Sequence, residues 1–212
     1  MIIDCISDLH GHQPKLAGGD LLLVCGDLTA SNKAIQYMRF FEWLSKQEYK
    51  KKIFISGNHD GEAMSQFDWG KDVEYLFDSG TEFEGLKLWG SPWTPTFLNW
   101  HFMKDRGDPI KEKWDLIPED TDILITHGPP FGVQDFVDSR TGCQGCEVLR
   151  DTILRIKPRL HVFGHIHESP GVCLFNDILC VNASIMDEHY KPKNKPVRIE
   201  YDGVKFKQIK GD

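Results

Sequence analysis

The sequence predicts an α/β sandwich: two packed sheets, part parallel and part antiparallel, flanked by helices. Three observations carry this. Several short apolar runs lack the polar alternation of a solvated strand, so they read as strands buried on both faces. Segments with helical spacing separate many of these runs. The end of the chain instead holds two pairs of short runs joined by turns, which read as hairpins.

The first strand is Ile2 to Ser7 and the second Leu21 to Cys25, both too continuously apolar for a solvated face. Between them His12 to Gly19 is a loop, on which His12 either approaches the site or, the favoured reading, is solvated. Ser31 is the expected N-cap of a helix reaching about Gln47, with Ile35, Met38, Phe41 (or Phe40) and Leu44 as its core stripe. Ile53 to Ser56 is the third strand, and a short helix is expected over Glu62 to Phe67. Glu82-Phe83-Glu84-Gly85 turns one strand into another, Leu86 to Trp89.

Ser91 to Phe102 is dense in aromatic residues and stiffened by Pro92 and Pro95. Such a loop is either a satellite hydrophobic cluster, the commoner case, or a wall of a ligand pocket. Lys111 to Leu116 is expected to be helical and Ile123 to Thr126 a strand. A helix from about Cys146 to Ile156 shows Val148, Leu149, Ile153 and Ile156 at core spacing, and Pro158 closes it. Its start at Gly145-Cys146 offers backbone N–H groups to an anion. Strand Leu160 to Phe163 follows, then the hairpins Val172–Phe175 with Ile178–Val181 and Val197–Tyr201 with Val204–Ile209.

With 212 residues and no visible linker, residues 1–212 read as a single domain. The net charge of −7 argues against a general nucleic-acid surface, which needs clustered Lys and Arg. No apolar run reaches the ~18 residues of a membrane helix, and no leader-like segment follows Met1, so a cytoplasmic location is expected. The six cysteines are read as reduced, small apolar residues. Cys143 and Cys146 have the spacing of a zinc or redox pair, but no second Cys or His pair lies nearby to complete it.

Five apolar runs end in polar, proton-carrying or metal-capable groups: Asp8 and His10, Asp27, Asn58 and His59, His127, then His165 and His167. A lone histidine at a strand end is ordinarily a satisfied polar residue, and Asn58 alone suits an Asx-turn. Eight such residues after five runs read as one site. Together they exceed the ligand need of one metal. Mixed carboxylate, amide and imidazole donors suit Mn, Fe, Zn or Ni. Two such ions ~3.5 to 4 Å apart acidify a shared water and clamp phosphate oxygens for in-line attack.

The order Asp-x-His, Gly-Asp, Gly-Asn-His-Asp, His-Gly, Gly-His-x-His resembles the calcineurin-like metallophosphoesterase superfamily, whose fold is an αββα sandwich. The resemblance implies Asp8, His10, Asp27 and His167 on one metal, and Asp27, Asn58, His127 and His165 on the other, with Asp27 bridging. It makes His59 the catalytic histidine and Asp60 its orienting carboxylate. Trp89–Pro95, Lys113–Pro118, Thr126–Pro130, Leu160–Glu168 and Val181–Ser184 are similar to the metallophosphoesterase-domain-containing proteins of animal brain. That similarity implies a metal-dependent phosphoric ester hydrolase acting on small, nucleotide-like phosphodiesters, cyclic nucleotides among them. Asp60 stands where Glu is usual in those relatives, and the segment from Asp60 to Trp89 is shorter. The same metals also suit a phosphomonoesterase or protein phosphatase, and a non-catalytic scaffold would be expected to have lost ligands. For the substrate, Trp93 and Phe131 are expected to hold a base, with Asn58, His59, Gly145 and Cys146 toward the phosphate.

Overall fold

In chain order the first half holds β1 (Ile2–Ile6), β2 (Gly19–Cys25), α1 (Ala34–Ser45), β3 (Tyr49–Ile55), β4 (Val73–Tyr75), β5 (Ser79–Phe83), β6 (Leu86–Ser91), β7 (Thr94–Pro95) and β8 (Met103–Lys104). Then follow α2 (Asp108–Trp114), β9 (Ile123–Thr126), α3 (Glu147–Ile156), β10 (Leu160–Phe163), β11 (Gly171–Phe175), β12 (Ile178–Asn182), β13 (Val197–Tyr201) and β14 (Phe206–Ile209). The structure is a computed structural model, and it describes residues 1–61 and 69–210. The helix expected over Glu62 to Phe67 lies outside the described residues.

Each central strand has two faces to bury, which is why its sequence is apolar throughout. In β2, Leu21, Leu23 and Cys25 enter a core shared by both sheets, while Leu22 and Val24 pack toward α1. The shared core takes Ile3, Cys5, Ile53 and Ile55 from one sheet and Leu88, Ile123, Ile125, Leu160, Val162 and Val181 from the other. A third cluster joins Leu124, Phe163 and Cys180 to Ile110 and Trp114 of α2 and Leu149 and Ile153 of α3. The layers are therefore helix, sheet, sheet, helix.

The sheets run β14-β13-β1-β2-β3-β4 and β11-β12-β10-β9-β6-β5. β1, β2, β3 and β4 are mutually parallel, as are β6, β9, β10 and β12. Three of the four sheet edges close as antiparallel hairpins, β13–β14, β11–β12 and β5–β6, and the fourth, β4, stays parallel. One turns at Glu84-Gly85 and another at Asn176-Asp177, where all four residues have positive φ, as a type I′ turn requires. No helix among the described residues is long and apolar enough to cross a membrane.

Helix α1 keeps Phe40 and Leu44 of the expected stripe but not Ile35 and Met38. Ile35 and Met38 are 51% and 66% exposed, and the buried face is Phe40, Trp43 and Leu44. Both stripes fit a period of 3.6; the one with two aromatic rings buries more apolar area and wins. The N-cap is Lys33 rather than Ser31, whose hydroxyl instead bonds the Gln36 side chain at 3.0 Å. Helix α2 begins three residues before its expected start, because Pro109 suits a first turn, where no N–H is needed.

Candidate dinuclear metal centre

Because β1, β2 and β3 are parallel neighbours, as are β9 and β10, their carboxyl ends open on one side of the sandwich. Asp8 and His10 follow β1, Asp27 follows β2, Asn58 and His59 follow β3, His127 follows β9, and His165 and His167 follow β10. The two sheets are stitched together here: the His165 N–H donates to both Asp8 oxygens at 3.0 and 3.1 Å, and the Ser7 N–H, after β1, donates to the Ala183 carbonyl, after β12, at 2.8 Å. A Cβ at Gly164 would collide with Asp8 Oδ2, and one at Gly57 with Asp27 Oδ1. Only glycine lets the carboxylates come this close to the neighbouring backbone. Asp8, His10, Asp27 and His165 themselves have φ of 57°, 43°, 51° and 69°. Four left-handed non-glycine residues at one site are strain held by the surrounding fold.

The expected ligands converge. Asp27 Oδ2 lies 3.6 Å from His10 Nε2, and Asp27 Oδ1 lies 3.4 Å from His127 Nε2. His167 Nε2 is 3.5 Å from Asp8 Oδ1 and 3.4 Å from His10 Nε2. Asn58 Oδ1 is 3.0 Å from His127 Nε2, and the His165 ring meets the His127 ring edge-on at 5.0 Å. Ligand atoms of Asp8, His10 and His167 group within 4.8 Å, as do those of Asp8, Asp27 and His127 and those of His10, Asp27 and His59. The candidate metal groups among the described residues all lie here, and none includes Cys143 or Cys146.

Two buried imidazoles are oriented by backbone carbonyls. His127 Nδ1 bonds the Cys25 carbonyl at 2.8 Å and His167 Nδ1 bonds the Asp187 carbonyl at 3.2 Å. Each Nδ1 must therefore carry its proton, which leaves a bare Nε2 facing carboxylate oxygen. Lone pairs aimed at lone pairs need a cation between them. Protonation supplies it in part. Burial disfavours charge on His127, but Asp27 outweighs burial and pushes the imidazole up to about 9. Burial would likewise raise Asp27, yet His127, His10 and His59 hold it well below the usual carboxylate range. Burial, helped by repulsion from His59 and His167, pulls His10 down to about 4, despite the carboxylates beside it. His10 Nδ1 is buried and has no hydrogen-bond partner. Oxygen and nitrogen donors converging in this way fit divalent transition-metal ions.

His59 stands at the edge of the cluster. Its backbone N–H donates to Asp27 Oδ1 at 2.8 Å and its Nδ1 bonds the Ala30 carbonyl at 3.0 Å, which leaves Nε2 for the centre. Its ring lies 4.6 Å from His10 and 4.3 Å from Trp100. Asp60 does not touch that ring: its carboxylate accepts from Leu28 N, Thr29 N and Oγ1, and Gly57 N at 2.9 to 3.0 Å. It ties the ends of β2 and β3 together, and orientation of the His59 ring falls to the Ala30 carbonyl.

A cavity of about 420 Å³ opens over the centre, walled by Phe97, Arg106, Tyr190 and Glu168. Trp93 and Phe131 are not among its lining residues. The Trp93 indole N–H donates to Asp78 at 2.9 Å, and Lys113 Nζ sits 4.5 Å over its ring, so this indole belongs to the cluster behind the wall. The Phe131 backbone pairs with the Cys146 carbonyl at 3.0 Å. The start of α3 is likewise committed: Gly145 N–H donates to Asp135, Cys146 N–H to the Pro129 carbonyl, and Cys146 Sγ accepts from Leu149 N. These bonds leave neither the Gly145 nor the Cys146 N–H for an anion. Tyr190 and Phe97 were not singled out from the sequence; Tyr190 packs edge-on to His10 and His167 at 4.9 and 5.0 Å, and Phe97 lies 5.4 Å from His165. No periodicity marks Tyr190, whereas Phe97 lies in the aromatic stretch the sequence had flagged.

Comparison with known proteins agrees with this geometry. Metallophosphoesterase domain-containing protein 1 of human and of mouse is 38% identical over 226 aligned residues, which cover 92% of this chain and 69% of the relative. A Thermus thermophilus crystal structure shares the fold, with a TM-score of 0.66 at 15% identity, over 98% of this chain and 97% of that one. So does a structure described as a novel archaeal phosphodiesterase, with a TM-score of 0.55 at 16% identity over 99% of both chains. The family model for calcineurin-like phosphoesterases matches residues 1–169, a span that contains all five strand-end blocks, and the chain belongs to that family.

Proposed function

We propose that this protein is a two-metal phosphodiesterase acting on small, nucleotide-like diesters. The observation that carries the proposal is Asp27, whose two oxygens face two different imidazoles, His10 at 3.6 Å and His127 at 3.4 Å. One carboxylate placed between two ligand sets is what a bridged pair of ions needs. Asp8, His10, Asp27 and His167 would hold one ion, and Asp27, Asn58, His127 and His165 the other. Manganese, iron, zinc and nickel all suit these donors. When bound, the ions supply positive charge to the phosphoryl oxygens and acidify the attacking water.

The chain's own residues supply the rest. His59 faces the leaving oxygen; with Nδ1–H donated to the Ala30 carbonyl, the protonated ring gives its Nε2 proton to that oxygen as the ester bond breaks. Phe97 and Tyr190 flank the centre and offer apolar faces to a base or other flat group, the role expected of Trp93 and Phe131. The cavity is of a size that admits a nucleotide. A phosphodiesterase with the same fold supports the diester reading. The full ligand set disfavours a scaffold without activity.

The test is a substrate screen on manganese-loaded protein, comparing cyclic nucleotides, linear nucleotide diesters, aryl diesters and monoesters. The proposal expects the highest kcat/KM on nucleotide diesters. A preference for monoesters, or for diesters without a flat group, would reject it.

A further inference from the structure

We propose that Cys173 and Cys180 form a redox-active dithiol that is oxidised by small-molecule disulfides and, once joined, loosens the loop that carries His165 and His167. The inference stands apart from the reading of the substrate.

The two cysteines are direct partners across the β11–β12 hairpin. Opposed residues of an antiparallel pair have Cα atoms ~4.5 to 5.5 Å apart, inside the ~4.4 to 6.8 Å window of a disulfide. Both are free thiols. β11 is the edge strand of its sheet, so no further strand covers Cys173, which is half-buried; Cys180 is fully buried against α3 and its neighbours. A hydrogen bond from Cys180 favours the thiolate of Cys173 and pulls its thiol below the usual range. The same contact, and then burial, push Cys180 up. One accessible, more acidic sulfur beside one buried partner is the arrangement of an attacking and a resolving cysteine.

The reaction balances with a low-molecular-weight disulfide such as oxidised glutathione. The Cys173 thiolate attacks one sulfur of that disulfide and expels the first small thiolate. Cys180 sulfur, as it loses its proton, then attacks Cys173 sulfur and displaces the second. The protein loses two hydrogens, and two small thiols leave carrying the protons and electrons.

Closing the bridge acts on the site through β12. The turn at Asn176-Asp177 makes Phe175 and Ile178 a hydrogen-bonded pair, so by alternation Cys173 and Cys180 are another, the kind in which side chains stand farther apart. Joining them removes the Cys173 S–H that donates to Gln134 Oε1. Asn182, two residues beyond Cys180, donates from Nδ2 to the Ile166 carbonyl at 2.8 Å and to the Gln134 carbonyl at 3.2 Å. Ile166 separates His165 from His167. Cys173 Sγ also contacts Gln134 Oε1 at 3.6 Å, so both ends of the hairpin register touch the frame of the ligand loop.

The experiment treats native, metal-loaded, fully reduced protein with oxidised glutathione, then maps peptides without reduction and follows backbone hydrogen exchange. The expected result is loss of both alkylatable thiols at 173 and 180, a cross-linked peptide pair reversed by dithiothreitol, and faster exchange over residues 164–167. Cys173→Ser should abolish the cross-link and the exchange change while leaving basal hydrolysis intact. Cys180→Ser should stop at the glutathione adduct on Cys173. Free thiols at 173 and 180 after treatment, or a bridge formed instead between Cys143 and Cys146, would overturn the site. A bridge at 173–180 with unchanged exchange at 164–167 would overturn its coupling to the ligand loop.

Discussion

The floor and the rim of the cavity are built on different terms. The floor comes from strand ends buried between two sheets: Asp8, Asp27, Asn58 and His127 are at most 2% exposed, and their positions follow from parallel pairing. The rim comes from loops, with Phe97 52% and Tyr190 55% exposed. On the floor, Asp8, Asp27 and His127 are pinned by backbone groups from other strand ends and Asn58 by the His127 ring; at the rim, aromatic rings lean on the floor histidines. On the proposed function, the floor fixes the chemistry and the rim selects what reaches it. Changes to the floor should abolish turnover, and changes to the rim should alter only which substrate is preferred.

The largest effect is expected for Asp27→Asn, which removes charge from both ligand sets at once. Its loss of metal affinity should exceed the ~10- to 100-fold typical of changes in groups that only orient a ligand. Metal content after gel filtration checks this, and retention of both ions with most of the turnover would break the bridging assignment.

Next comes His59→Ala. An alkoxide leaving group needs a proton in the transition state, while a nitrophenolate leaves unaided, so the loss should be ~10²- to 10⁴-fold on a ribose diester and distinctly smaller on bis-nitrophenyl phosphate. Equal losses on both, with metals retained, would mean that His59 stabilises phosphoryl charge instead.

At the rim, Phe97→Ala or Tyr190→Ala should raise KM for a nucleotide diester roughly tenfold, the worth of ~1 to 3 kcal/mol of stacking, and barely change an aryl phosphate. Trp93→Leu is the control from the same aromatic stretch and should leave both KM values unchanged. A rise with Trp93→Leu that matches Tyr190→Ala would erase the distinction between wall and backing.

The smallest kinetic effect is expected at Asp60. Asp60→Asn replaces an oxygen that accepts N–H bonds with an amide that cannot, so it should cost ~1 to 3 kcal/mol in denaturant unfolding. Its ratio of rates on ribose and nitrophenyl diesters should stay that of the parent. A ratio shifted as in His59→Ala would return Asp60 to the orienting role.

The same division marks what could be read in the sequence. Each floor residue follows an apolar run; singly such a residue is ordinary, and it was the recurrence after five runs that made Asp8, Asp27, Asn58 and His127 legible as one candidate site. The carbonyls of Cys25, Ala30 and Asp187 were not: they act through backbone atoms, and His127 is more than a hundred residues from Cys25. Within Ser91 to Phe102, composition flagged an aromatic wall but did not distinguish Trp93, which faces inward to Asp78 and Lys113, from Phe97, which faces the cavity. In α1, two stripes shared the helical period, and only packing chose between them. The turn carrying Tyr190 has neither periodicity nor motif.

The central claim is that one bridging carboxylate organises two ions, and stoichiometry tests it most directly. Protein stripped with a chelator and titrated with Mn²⁺ under calorimetry, while hydrolysis of bis-nitrophenyl phosphate is followed in parallel, should bind two ions per chain and regain activity as the second site fills. In Asp27→Asn the same titration should lose strong binding at both sites. Full activity with one ion per chain, or activity that survives complete metal removal, would contradict the account.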